Sequence, residues 1–294
     1  MRATELAVVL ALSLVTPSFA ASDAPSAAAT LESVAIMRVA AKVVIEPGGG
    51  LGDLRIETPL RPALQAALEN VIRGWRFKPV HVDGVARRAS TRMLVVLALL
   101  QDGDKRRIVI DSVDFPTDTG ADVVAADGQL APITANRLGV PVYPPNQQQA
   151  HVMGTVLLGI RVKPDGRAGD VAVMQSMLFA TKRGEKADRR SLHEFEGVAL
   201  AASRRWTFNV PESAVPRTVE QMTVNVPVQF NLGYALDAPG QWLAVVRLPK
   251  QPLPWLPLAP GTPRLGVASM TGNDVSPNTS VFGLSLDVVG TSLK

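Results

Sequence analysis

Strand-like segments run over residues 39–45 and 51–57, and the apolar positions then take helical spacing at Leu64, Leu68, Val71, Ile72 and Trp75. A further strand-like run covers residues 91–100. Two strands, a helix and a last strand are therefore expected, with Pro47-Gly48-Gly49-Gly50 as the first turn. Thr58-Pro59 opens the helix and Gly74 suits its end. The same order recurs downstream: strand 154–163, turn Pro164-Asp165-Gly166, strand 169–176, helix 192–204 and strand 222–232. Phe195, Val198, Ala199, Ala202 and Trp206 line one face of the second helix, and Ser191 and Glu194 have capping-box spacing at its start. Residues 181–190, with seven charged side chains and no counterpart in the first copy, read as a surface loop. A Trp-x-Phe block follows each helix, and Trp75, Phe77, Trp206 and Phe208 are expected in the two cores.

The last strands of the copies differ. In the second, Val224, Val226, Val228 and Phe230 share one face, while Thr223, Asn225, Pro227 and Gln229 share the other. Pro227 lacks an N–H and points to an edge strand. In the first copy Leu94, Val96, Ala98 and Leu100 make the second face apolar as well. That strand needs cover from the other copy, from the C-terminal residues or from a second subunit. The connecting residues hold one more strand at 107–113, and after residue 236 seven prolines between Pro239 and Pro263 suggest an extended arm that lies on a domain or is disordered. The chain thus divides into 1–20, 21–36 (flexible), a first module at 37–115, a linker at 116–139, a second module at 140–236, and an arm and tail at 237–294.

Composition narrows the setting. Arg2, a mostly apolar run over residues 6–15 and Ser18-Phe19-Ala20 read as a secretory signal, too short for the roughly 20 residues that cross a bilayer. A periplasmic location is expected, with an inner-membrane anchor as the alternative. The chain has no cysteine, so no disulfide supports the fold. A net charge of +4 without basic runs argues against nucleic acid. His81, His151 and His193 lack metal-ligand spacing, and no phosphate loop or nucleophile elbow occurs, so no metal, cofactor, small-molecule substrate or enzymatic activity is expected. Asp118-Thr119-Gly120 matches the tripeptide of aspartic proteases, but turn chemistry accounts for it, and a protease at Asp118 is the second alternative.

Pro141-Val142-Tyr143-Pro144, the Asp165-Gly166 turn, the helix rich in small residues, Trp206-Thr207-Phe208 and Val226-Pro227-Val228-Gln229-Phe230 occur in the order that characterises one family. The second copy resembles the C-terminal domain of TonB, the envelope protein that couples inner-membrane energy to outer-membrane transporters. The first copy matches from its Gly turn to Trp75-Arg76-Phe77-Lys78-Pro79 and resembles a degenerate module. The resemblance implies an α+β fold of two tandem modules, each a small antiparallel sheet on one main helix. It further implies a protein or peptide partner, with an outer-membrane TonB-dependent receptor as the candidate, bound as an added strand. Tyr143, Pro144, Thr223, Asn225, Val226, Pro227, Val228, Gln229 and Phe230 are the implied partner-binding residues. Typical TonB proteins carry an N-terminal anchor with a His and a long Pro-rich spacer ahead of the module. This chain has neither in that place, so membrane-anchored energy transduction is the alternative function. A homo-oligomer through the two-faced apolar strand of the first module is a further expectation.

Overall fold

The computed structural model describes residues 30–102, 105–116, 130–179, 183–213, 216–233, 239–256, 266–269, 275–277, 284–285 and 288–293. In chain order the elements are β1 (Glu32–Ile45), β2 (Leu51–Ile56), α1 (Pro62–Arg73), β3 (Val80–Val82), β4 (Val85–Arg87), β5 (Ala89–Asp102), β6 (Lys105–Asp114), β7 (Thr134–Arg137), α2 (Pro145–Gln149), β8 (Gly154–Val162), β9 (Ala168–Phe179), α3 (Glu185–Ser203), β10 (Thr207–Asn209), β11 (Thr223–Phe230), β12 (Leu243–Arg247) and β13 (Ser276–Pro277). The fold is α+β, and among the described residues its main sheet has nine antiparallel strands, in the order β13-β11-β8-β9-β12-β1-β5-β6 with β2 pairing β1. The first strand of each repeat lies between the second and the last, as β2-β1-β5 and as β9-β8-β11.

One contact recurs in both repeats and explains the paired Trp-x-Phe blocks. Gly49 and Gly166 sit at the hairpin turns with φ of 75° and 80°. The Gly49 carbonyl accepts the Phe77 N–H at 2.8 Å, and the Gly166 carbonyl accepts the Phe208 N–H at 2.7 Å. A Cβ at either glycine would fall on the carbonyl of that same Phe. Each turn is thereby tied to the chain leaving the helix, and Trp75, Phe77, Trp206 and Phe208 are all buried.

Helices α1 and α3 lie on one face of the sheet. Leu68 and Ile72 of α1 close a core with Val39, Val43, Val95 and Phe77, while Phe195 and Ala199 of α3 close another with Leu158, Val226 and Trp206. A third cluster lies on the opposite face and spans both repeats: Ile36, Val96, Ala98 and Val109 meet Leu157, Met177, Val245, Val267 and Ala268. The apolar second face of β5 is therefore covered from within the chain, by the 3-10 turn Val267–Ser269 and the strands beside it.

β12 carries the largest departure from the sequence reading. Within the Pro-rich region Leu243–Arg247 pairs with Phe179, Leu178 and Met177 of β9 on one side and with Glu32–Ile36 of β1 on the other. It joins the two repeats into one sheet. β1 consequently begins at Glu32, not at residue 39, because its first residues have β12 to pair with. After β12 the N–H of Leu248 reaches the Ser176 carbonyl at 3.1 Å and that of Gln251 the Met174 carbonyl at 2.7 Å. Pro252 and Pro254 have no N–H to continue this ladder. The chain instead crosses the sheet, Leu253 filling the space above Gly159 and the Trp255 indole N–H donating to Thr223 Oγ1 at 3.1 Å.

Two helix starts also differ. α1 begins at Pro62 with Arg61 as its N-cap, and Thr58 Oγ1 instead accepts the Ala40 N–H at 2.9 Å, holding the approach to β1. α3 begins at Glu185, so the last residues of the expected surface loop form its first turns and the expected capping box is interior. Glu185 and Asp188 suit the positive helix start, and Glu185 pairs with Arg189 at 2.8 Å across one turn. Charge density there encodes helix, and Asp188 is buried. Ser191 Oγ donates to Gln147 Oε1 at 2.7 Å, where α2 packs on α3.

The shared turn contact sets an order of cost. Gly49→Ala and Gly166→Ala should each lose more stability than the ~1–2 kcal/mol that left-handed backbone costs an L-residue. Gly233, with φ of 87° and open space around a Cβ, should lose only that strain. Urea midpoints test this, and equal losses at all three would show that neither turn contact matters.

Candidate functional site

The outer edge of β11 is where the sequence places partner binding, and the backbone phase of this strand decides what it offers. The Val162 N–H bonds the Met222 carbonyl at 2.8 Å, and the register runs without a bulge from Thr223↔Arg161 to Phe230↔Gly154. By alternation, Val224, Val226, Val228 and Phe230 direct their backbone groups to β8, and Thr223, Asn225, Pro227 and Gln229 direct theirs outward. The N–H that Pro227 lacks would have pointed away from β8, so the proline costs the sheet nothing and shortens the outer edge by one donor.

That edge holds part of the chain's own tail. Pro277 and Ser276 of β13 pair with Val224 and Asn225. The face carrying Thr223 and Asn225 is buried too, since Trp255 binds Thr223 and both residues are fully shielded. Val226 and Val228 pack toward α3, Pro227 is buried, and Gln229 is exposed. The opposite end of the sheet is treated alike: the Ile110 N–H on β6 donates to the Thr291 carbonyl at 2.9 Å, the Gly290 N–H to the Ile110 carbonyl at 2.7 Å, and the Leu293 N–H to the Ile108 carbonyl at 2.9 Å.

Tyr143 lies against Phe230 and Phe195 at centroid distances of 5.6 and 5.7 Å, both edge-on, and its hydroxyl donates to the Val152 carbonyl. It fastens the Pro-x-Tyr-Pro segment to the sheet. Pro144 is the N-cap of α2. Val140 and Val142, neither of them among the expected partner-binding residues, are 90% and 76% exposed beside it. The structure thus brings Tyr143 to Phe230 at one end of β11 and leaves Thr223 and Asn225 under the arm at the other.

The polar cluster behind β12 was not legible beforehand. Arg247 Nη2 lies 2.8 Å from Asp111 Oδ1, and Arg247 Nε lies 3.0 Å from Glu32 Oε2. Lys250 Nζ adds a contact of 3.3 Å to Asp111 Oδ2 and donates to the Asp111 carbonyl at 2.7 Å. Burial alone would raise the Asp111 carboxyl, but Lys250 and Arg247 hold it below the ordinary carboxylate value. The cluster is structural: it fixes β12 and the arm against β1 and β6. Among the described residues no group of acids and histidines could hold a metal ion. Asp118 lies outside the described residues. Nearby Asp114, mostly buried at the end of β6, is pushed up to about 6 by desolvation against a weaker opposing hydrogen bond from the Phe115 N–H.

Removing the Asp111 charge leaves Arg247 buried with only Glu32, so Asp111→Asn should cost about 3–5 kcal/mol in urea unfolding at pH 7. A folded value below the unfolded ~3.9 means that this contribution is complete above ~3.9 and is lost as pH falls past it toward the folded value. The variant should therefore approach the wild type in strong acid; a constant gap down to pH 2 would contradict the ion-pair account. Comparison with known proteins finds no family model that matches the chain, and neither a curated protein nor a solved structure that matches it.

Proposed function

We propose that the protein is an exported, periplasmic binding protein of two tandem TonB-C-terminal-like modules. Its second module engages an extended peptide of an envelope partner by strand addition at the outer edge of β11. The observation that carries this reading is the pairing of β13 with Val224 and Asn225: the edge takes extended backbone, and the segment now on it is short. The strand phase supports the same reading, because Pro227 and its outward neighbours can be engaged without breaking the ladder to β8. An outer-membrane TonB-dependent receptor is the partner that the family resemblance suggests, through a short extended segment. The described residues include no helix long and apolar enough to cross a membrane. The signal-like residues 1–20 lie outside the described residues, and a mature chain starting at Ala21 in the periplasmic fraction would support export with cleavage.

A photo-reactive side chain at Gln229, exposed at this edge, tests the proposal in intact cells. A discrete adduct with an outer-membrane protein is expected from this position and none from Val85, which is exposed on the small β3–β4 hairpin. No adduct at Gln229, or equal adducts at both positions, would contradict it.

A further inference from the structure

A second edge of the sheet is open in a different way. β9 pairs with β8 along its length, and its other side is taken in pieces. The Ala168 N–H bonds the Trp206 carbonyl at 3.1 Å, Met174 and Ser176 hold the arm, and Met177–Phe179 hold β12. Between these, from Gly169 to Val173, no strand among the described residues pairs on that side. Val171–Val173 of this gap form the floor of a slot of about 440 Å³, walled on one side by α3 and on the other by Pro252 and Pro254 of the arm.

Its α3 wall is unusual for a helix interior. Gly197 stands mid-helix, where glycine is unfavourable, and a Cβ there would meet nothing within 4 Å. Packing within the chain gives no reason for a glycine at this position. An approaching backbone would, since it can come closest where no side chain intervenes. Leu200 and Ala201 continue this wall, and Val171 and Val173 present apolar side chains from the floor.

One acid lines the slot. Glu196, one position before Gly197, is 9% exposed, and its Oε1 accepts a hydrogen bond from Ser176 Oγ. Desolvation raises its carboxyl, against the hydrogen bond from Ser176 and the nearby His193. The other charged or titratable groups of the lining are His193 and Arg204, both on α3. From the sheet, Asp170 is paired with Arg161, and the arm residues lining the slot are uncharged.

We propose that this slot is a peptide-binding site separate from the β11 edge. It would take an extended segment of a partner protein, of small apolar residues with one Lys or Arg, as a strand on Gly169–Val173. The floor supplies unpaired strand edge in line with backbone already bound there in extended form at Met174 and Ser176. Glu196 supplies the charge that selects the cation. The inference rests on the slot alone and stands whether or not the β11 edge binds a partner.

The probes are acetyl-Val-Ala-Lys-Val-Ala-amide and the same peptide with Glu for Lys, titrated into the full chain and followed by amide NMR shifts. Saturable shifts at Asp170, Ala172, Gly197 and Leu200 are expected, with the Lys peptide binding ~10-fold tighter, a difference of about 1.4 kcal/mol. Glu196→Gln should remove that preference, weakening the Lys peptide and strengthening the Glu peptide toward a common affinity. Gly197→Leu should weaken both peptides without lowering the melting temperature, since the added side chain enters open space. Absence of saturable shifts up to millimolar peptide, equal binding of the two peptides, or shifts confined to β11 would each overturn the proposal.

Discussion

The pairing of Leu243–Arg247 with β1 on one side and β9 on the other is what the rest of the structure depends on. Each repeat by itself leaves one side of a strand segment unpaired: that of Glu32–Ile36 in the first and that of Met177–Phe179 in the second. Buried backbone groups left without partners are costly. β12 supplies both sides at once. It also places Val245 in the third apolar cluster and Arg247 between Glu32 and Asp111, so ladder, packing and charge converge on one short strand. The ion pairs add register rather than affinity, since a shift of β12 by one residue would move Arg247 to the helix face and leave Asp111 with Lys250 alone.

The same C-terminal residues address the edges that a long antiparallel sheet leaves open. β13 pairs with part of β11, residues 290–293 run along β6, and Leu284 bridges to Phe77. In each place the tail binds by backbone hydrogen bonds with one or two apolar anchors. A protein that binds its own extended segments in this manner has edges suited to extended segments of others, and this is the physical link between fold and proposed function.

Much of each repeat was legible from the sequence because local signals agreed with the tertiary outcome. The turn glycines, the helix stripes and the Trp-x-Phe blocks all act within one repeat; the two-faced apolar character of residues 94–100 was legible too, although its cover comes from outside that repeat. β12 is masked in the sequence because the prolines around it dominate the composition of that region. Leu243-Ala244-Val245-Val246 is nevertheless an apolar run with two β-branched residues between Gly240 and Pro249, and that was the available signal. The start of α3 was hidden by its charges, which pair along the helix instead of marking a loop. The Asp111–Arg247–Lys250 cluster had no signal at all, because its members are far apart in sequence. The burial of Thr223 and Asn225 carried no sequence signal for the same reason: the arm that covers them lies elsewhere in the chain.

Amide hydrogen exchange on the intact protein tests the central role of β12 most directly. If β12 completes the sheet, the amides of Val245 and Arg247 should exchange as slowly as those of β1 and β9 beside them, through global unfolding. Exchange of these amides at loop rates, with β1 and β9 still protected, would show that the two repeats hold together without β12 and would contradict the account.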